Sequence, residues 1–333
     1  MKILYRSVHE ILEYDELKLL TSLGHEVYSL GSYTDPRGDQ GRMRPPIPEM
    51  PYDPEFVALA DKGGRADIYG SMLDSIDVVI VMHDPEFISR NWSKLRGKRV
   101  IWRTIGQSVA AFEEMLRPCR QEGLQIVRYS PAESRIPGYL GADAIIRFAK
   151  DPSEYGGWTG QDLRVIGFTH DIAQRQSHCS WEVIQQLAER VPFTLYGRNH
   201  GDIPFSGGLL SYEEQRKVFQ MSRAFLSTGT HPASYTLGFI EAWMTGIPVV
   251  AIGPTLGDPR RSGFDQDTYE VPDLLDDGVN GFCRDSVGGL LTAFGDLLHD
   301  QALAQSIGDA GRKRAIELFG VETIREQWKR FLT

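Results

Sequence analysis

The residues whose types and spacing best suit chemistry lie between Ser227 and Ile252, in the string STGTHPASYTLGFIEAWMTGIPVVAI. A hydroxyl-rich turn from Ser227 to Thr236 follows an apolar strand. A helix starts there with Glu241 inside it, and Gly246-Ile247-Pro248 returns the chain to a Val/Ile strand. Strand, helix and strand in this order form one unit of a parallel sheet, and ligands of such sheets sit at the carboxyl ends of the strands. The turn therefore faces a pocket, with Glu241 roughly one helical turn behind it. Amides at a helix start favour an anion, and a carboxylate accepts hydrogen bonds from neutral hydroxyls. Phosphate beside a diol is the signature of a nucleotide.

Other reactive side chains fall at the ends of apolar runs. The strand from Asp77 to Met82 delivers His83-Asp84-Pro85, which either holds a proton or a hydroxyl or consists of a structural His and a capping Asp. The strand from Arg99 to Trp102 ends in Arg103-Thr104-Ile105-Gly106-Gln107, a cationic, amide-lined turn suited to a charged or hydroxyl-rich ligand; pairing of Arg103 with a nearby carboxylate is the alternative. The first strand, Lys2 to Arg6, runs into Ser7-Val8-His9, where Arg6 and His9 either supply charge to a ligand or are ordinary surface residues.

The elements that must position these groups follow from periodicity and punctuation. A helix to about Leu23 and a strand from Val27 to Leu30 precede Gly31–Pro54, a stretch with six prolines and Arg37, Arg42 and Arg44. Such a stretch is either a loop over the site or a mobile solvated loop. A helix is expected from about Glu55 to Leu73, then strands at 77–82, 99–102, 124–129 and 144–148. Gly156-Gly157-Trp158-Thr159-Gly160 reads as a flexible hinge. A second alternation follows: strands at 163–168 and 193–196, with a helix through Leu187 between them. Ser211 and Glu214 form a capping box that starts a helix to Met221. Turn dipeptides at Asp277-Gly278 and Asn280-Gly281 precede helices from Ser286 and Gln301 and a last one ending in Trp328-Lys329-Arg330-Phe331.

Composition bounds the rest. The 333 residues suffice for two domains, and 41% hydrophobic with 24% charged residues is the balance of a globular protein. No apolar run reaches a membrane span, and the opening residues pass directly into a strand, so a cytoplasmic, unprocessed chain is expected. Cys119, Cys179 and Cys283 have neither disulfide nor zinc spacing. A net charge of −9 argues against broad nucleic-acid or anionic-membrane binding. Residues 1–150 hold 20 Lys and Arg against 21 Asp and Glu, and the remainder 16 against 24, which leaves room for a basic acceptor site in the first half.

The string Phe239-Ile240-Glu241-Ala242-Trp243-Met244-Thr245-Gly246-Ile247-Pro248-Val249-Val250-Ala251 resembles the EAMAxGxPVVA signature of retaining GT-B glycosyltransferases of the family-four group. Leu209 to Glu214 is similar to the family's VSxEEL phrase, Lys150 to Tyr155 to its NGVDxxxF segment, and Tyr269 to Phe282 to EVVxDGxNGFL. The resemblance implies an α/β protein of two Rossmann-like, doubly wound parallel-sheet domains facing a cleft. It puts an acceptor-side domain at 1–155, a nucleotide-sugar domain at 156–315, and a terminal helix at 316–333 crossing back to the first.

The same resemblance implies transfer of a sugar from a nucleotide-diphosphate sugar to an acceptor, with retention, without a metal and without a cofactor. Glu241 would bind the donor ribose, and Ser234, Tyr235, Thr236 and Leu237 would offer amides to the diphosphate. Thr169, His170, Gly197, Arg198, Leu210 and Ser211 would complete the donor site. Arg175 would be the phosphate cation, because guanidinium binds phosphate bidentately; a helix-start Arg is the other reading. His83, Asp84, Arg103 and Arg175 would be catalytic, and Arg6, Ser7, His9, Thr104 and Gln107 would line the acceptor side. The family pattern is not met everywhere: Arg6 to His9 stands where many members have paired glycines, Arg103, Thr104 and Gln107 where many have a histidine, His170 and Arg175 near its usual Arg and Lys-Gly, and Ala233 where the Glu eight residues before Glu241 usually touches the donor sugar. A sugar-nucleotide epimerase and a non-catalytic nucleotide-sugar-binding homologue are the alternative readings.

Overall fold

Runs such as Val78–Met82 and Val249–Ile252 are apolar without alternation, and every residue in them is buried. A strand covered on both faces needs this pattern, and parallel sheets flanked by helices supply it. The computed structural model describes residues 1–38, 41–62, 67–68 and 70–333. It divides into one unit of Met1–Ala149 with Val321–Thr333 and another of Lys150–Gly320.

In the first unit the strands are β1 (Lys2–Ser7), β2 (Glu26–Ser29), β3 (Val78–Met82), β4 (Arg99–Arg103), β5 (Gln125–Arg128) and β6 (Ala144–Ile145), ordered β2-β1-β3-β4-β5-β6. All pairs are parallel, with Tyr5 opposite Ile80 and Val81 opposite Trp102. In the second unit β7 (Asp162–Phe168), β8 (Phe193–Tyr196), β9 (Ser206–Gly208), β10 (Ser222–Ser227), β11 (Val249–Ile252) and β12 (Phe282–Arg284) are ordered β12-β11-β10-β7-β8-β9, again all parallel. Both sheets are doubly wound. The winding reverses between β1 and β3 in one and between β7 and β10 in the other, and a crevice opens at the carboxyl ends of strands where such a reversal occurs.

Several sequence expectations need correction. The unit boundaries fall at Ala149/Lys150 and Gly320/Val321 rather than at 155 and 315. The stretch taken for a flexible hinge is fastened inside the second unit. Trp158 Nε1 donates to Ser222 O at 2.8 Å, the Thr159 amide to Gln220 O at 2.8 Å, and Gln220 Nε2 to Gly156 O at 2.8 Å.

The single helix expected over 55–73 is two, Pro54–Lys62 and Gly70–Leu73; residues 63–66 and 69 of that expectation lie outside the described residues. Between them Ile68 makes its hydrogen bonds elsewhere. Its amide donates to Asn91 Oδ1 and its carbonyl accepts Lys94 Nζ, both side chains of the helix Pro85–Leu95. The helix expected to run through Leu187 is likewise broken, at left-handed Ser180 before Trp181–Ala188.

The described part of the Gly31–Pro54 loop is anchored at several points, although many residues from 41 to 54 are exposed. Glu13 accepts from the Ser32 and Tyr33 amides, Tyr33, Ile47 and Met50 are buried, and Arg42 lies over the Tyr33 ring while donating to Ser32 O and Asp35 O. Asp39 and Gln40 in that loop lie outside the described residues.

The central unit of the second sheet follows its sequence pattern. β10 leads through the turn to the helix Leu237–Thr245, which ends at left-handed Gly246 and returns to β11. Phe239 to Thr245 are all buried, Trp243 Nε1 donates to Asn280 O at 2.9 Å, and the helix Gln301–Phe319 packs close enough at Gly308 and Gly311 to exclude any Cβ there. No helix of the described residues is long and apolar enough to cross a membrane.

Candidate functional site

The crevice of the second sheet is walled by the turns after β7, β8 and β10. Thr236 caps the helix Leu237–Thr245, its hydroxyl accepting from the Phe239 amide at 3.2 Å. First-turn amides have no partner within their own helix and carry partial positive charge, so this end suits phosphate. The turns approach closely: Gly197 has φ +149°, and a Cβ there would overlap Thr169 O, so no other residue fits without moving the β7 turn. The side chains of Ser234 and Tyr235 are buried, Tyr235 edge-on to Phe319 at 5.2 Å. Both residues are enclosed as a whole, and the half-buried part of this helix start is Thr236 to Gly238.

Arg175 ends the short helix Ile172–Arg175, half-buried, with no hydrogen-bond or ion-pair partner among the described residues. Its segment touches the central turn, since the His231 amide donates to His178 O at 2.8 Å. Its charge reaches His170, His178 and Cys179. His170 accepts from the Arg198 amide through Nδ1 at 3.1 Å, and burial, then the Arg198 charge, hold its pKa below the usual imidazole value. A neutral ring at pH 7 is the result. Arg198, expected on the donor, is exposed and ion-paired to Asp171 at 3.0 Å. Thr169 is buried, its amide on Tyr196 O.

Glu241 is where the structure departs most from expectation. Instead of waiting for neutral hydroxyls it already binds a cation: Lys150 Nζ is 2.6 Å from Oε1, with side chains 1% and 3% exposed. Tyr155 OH donates to the same oxygen at 3.2 Å, and Gln215 Nε2 to Oε2 at 2.6 Å. Gln215 lies on the helix Tyr212–Met221, whose start is held by the expected capping box: Ser211 Oγ accepts from the Glu214 amide, and Glu214 Oε2 accepts from the Ser211 amide at 2.8 Å. The turn carrying Leu210 and Ser211 is thereby tied to Glu241. Lys150, Tyr155 and Gln215 were not singled out as site residues from sequence, and nothing local could have paired them with Glu241.

His231 was also missed, though it sits two residues before Ala233 in the central turn. It is buried, lies edge-on to Tyr269, and its Nδ1 has no hydrogen-bond partner among the described residues; burial pushes its pKa down to about 4. Among the described residues no three His, Cys, Asp or Glu side chains come together as a metal-ligand set.

In the first unit, the crevice between β1 and β3 brings some expected residues together and removes others. Arg6 pairs with Asp84 at 2.8 Å and donates to Leu30 O. Asp84 also caps the helix Pro85–Leu95 through the Phe87 amide at 3.0 Å, so the capping alternative for this residue holds. His83, at φ +53°, is hydrogen-bonded to Gln107 at 3.1 Å, and burial lowers its pKa. His9 caps the first helix through the Leu12 amide, and Ser7 Oγ accepts from the His9 amide at 3.0 Å.

Arg103 and Thr104 turn inward and cannot touch a ligand. Arg103 is 0% exposed, ion-paired to Glu16 at 2.6 Å, and lies between the Phe148 and Trp328 rings. It fastens the C-terminal helix Val321–Leu332 to its own unit. Thr104 donates to Glu133 at 2.7 Å. Composition left room for a basic acceptor site in this half, and four of its arginines are engaged within the fold. Arg6, Arg103 and Arg128 each face a carboxylate, and Arg42 is spent on loop carbonyls.

No protein-family model matches the chain, and no curated protein sequence matches it significantly. Solved structures do match over the whole chain. HepE of Anabaena in complex with UDP has a TM-score of 0.70 at 14% identity, covering 100% of this chain and 99% of that one. Sucrose-phosphate synthase of Thermosynechococcus elongatus and a glycosyltransferase of Rickettsia africae each give 0.69 at 14%, covering 100% of this chain and 98% of theirs. HepE was also solved with UDP-glucose. These neighbours are GT-B glycosyltransferases, and the chain has their fold: two doubly wound, six-stranded parallel sheets with flanking helices.

Proposed function

We propose that this protein is a glycosyltransferase that takes a sugar from a nucleotide-diphosphate sugar, with retention of configuration and without a metal, and passes it to a small-molecule or glycan acceptor. The observation that carries the reading is the assembly at the β7/β10 crevice. The helix start at Thr236 and the Arg175 segment follow the neighbouring parallel strands β10 and β7, and Glu241 lies on the helix that begins at Leu237. Phosphate would lie on the amides of residues 234 to 237, and the ribose against Glu241.

As the glycosidic bond breaks, charge grows on the leaving phosphate. Fixed amides and Arg175 placed at that charge stabilise it more than they stabilise the bound donor, and this difference lowers the barrier. His83, neutral at pH 7 and steadied by Gln107, and the Arg6–Asp84 pair would face the acceptor. Three free thiols fit a reducing, cytoplasmic location.

Ala233 favours a second reading, a homologue that binds a nucleotide sugar without transferring it, since the family it resembles usually has a Glu at that position. A thermal-shift screen of nucleotide-diphosphate sugars followed by product analysis separates these readings from each other and from an epimerase. Stabilisation with slow release of free sugar supports transfer, an epimerised donor supports an epimerase, and stabilisation with no turnover supports the homologue. No shift with any donor refutes all three.

A further inference from the structure

The two oxygens of Glu241 have different surroundings. Oε1 takes the Lys150 ammonium and the Tyr155 hydroxyl, both from the segment that opens the second unit. Oε2 takes the amide of Gln215, which is half-buried. Lys150 is itself held by its backbone: its amide donates to Phe319 O at 2.8 Å, and it bridges to Gly320.

We propose that Lys150 is a positioning residue for nucleotide recognition, fixing Oε1 of Glu241 so that Oε2 is the oxygen offered to a ribose hydroxyl. The proposal rests on the ribose role given to Glu241 above. Physical chemistry decides which of the carboxylate's partners yields. Displacing the ammonium would leave a buried charge uncompensated, which is strongly unfavourable. Displacing the amide of Gln215 with a hydroxyl exchanges one neutral donor for another and leaves the charge balance untouched. Gln215 therefore occupies the ribose position in the nucleotide-free protein and gives it up on binding. Paired with the ammonium, Glu241 offers a charge-assisted acceptor, which binds a hydroxyl more strongly than a neutral one.

The experiment measures calorimetric affinity for UDP, ADP and GDP, then for the 2′,3′-dideoxy form of whichever binds best. The wild type should prefer the ribo form by roughly ten- to a hundredfold. Glu241→Gln and Lys150→Met should each remove most of that preference. The double variant Lys150→Met/Glu241→Gln, in which neither charge is left unpaired, should show the same residual preference as Glu241→Gln alone. If Lys150→Met does not fold, Lys150→Gln carries the test: a neutral donor of similar length should also lose most of the preference, whereas a merely structural role leaves the ratio intact.

A Lys150 that merely supports the fold would weaken both ligands together and leave their ratio intact, and that result overturns the proposal. So does a double variant whose preference falls below that of Glu241→Gln. If the wild type fails to distinguish the two sugars, or binds none of the nucleotides, the ribose role of Glu241 falls first and Lys150 with it.

Discussion

The guanidinium of Arg128 meets both carboxylate oxygens of Glu113, at 2.6 and 2.8 Å, and neither side chain reaches solvent. Glu113 also accepts the Leu140 amide at 2.9 Å, so the pair ties the helix Ala110–Gln121 to β5 and to the loop beyond it. Removing Glu113 takes both short hydrogen bonds from the buried guanidinium and leaves it only the more distant Glu133, 3.8 Å away. Glu113→Leu should cost about 3–5 kcal/mol of stability. Replacing both partners, as Glu113→Leu with Arg128→Met, should recover most of that loss in urea unfolding.

Glu133 lies beside the same arginine, 3.8 Å away, and burial raises its pKa to about 7. A carboxyl whose folded pKa exceeds its unfolded value binds its proton more tightly when folded. Its contribution to stability is full below about pH 4.5 and is lost as pH rises through about 7. Glu133→Gln should therefore flatten the fall in stability across that window and leave the acid side unchanged. Urea midpoints measured at intervals from pH 5 to 8 check this; an unaltered slope contradicts the assignment.

Gly308 faces the backbone of Gly246, and a Cβ there would overlap the Gly246 carbonyl oxygen. Backbone cannot rotate aside as a side chain can. Gly308→Ala should destabilise by about 1–3 kcal/mol through overpacking. Gly288→Ala, on a helix where a Cβ meets nothing within 4 Å, should be neutral or stabilising by up to about 1 kcal/mol. A matched pair of thermal melts compares them directly.

On the proposed reading Arg175 meets the phosphate at the β7 turn, since Arg198 is engaged by Asp171 and Arg175 has no ion-pair partner among the described residues. Arg175→Ala should lower nucleoside-diphosphate affinity about tenfold or more and reduce its sensitivity to salt. Arg198→Ala should change affinity much less. Equal losses from the two substitutions would move the phosphate toward Arg198.

The parallel sheets, the strand–helix–strand unit around Glu241 and the Ser211–Glu214 capping box were legible in the sequence, because each is written within a dozen or so residues. Apolar runs, glycine turns and cap spacings are local signals. The partners of Glu241 and Arg103 were not legible. Lys150 is 91 positions from Glu241, and Glu16 is 87 from Arg103; each pair meets only once strand order and packing are set. A residue at the carboxyl end of a parallel strand can stay half-buried, as His83 does beside Gln107, or turn fully into the interior, as Arg103 does, and the motif around it reads the same either way. Tertiary structure alone decided which charges were consumed within the fold and which stayed available to a ligand, because desolvation and pairing depend on neighbours that sequence spacing does not specify.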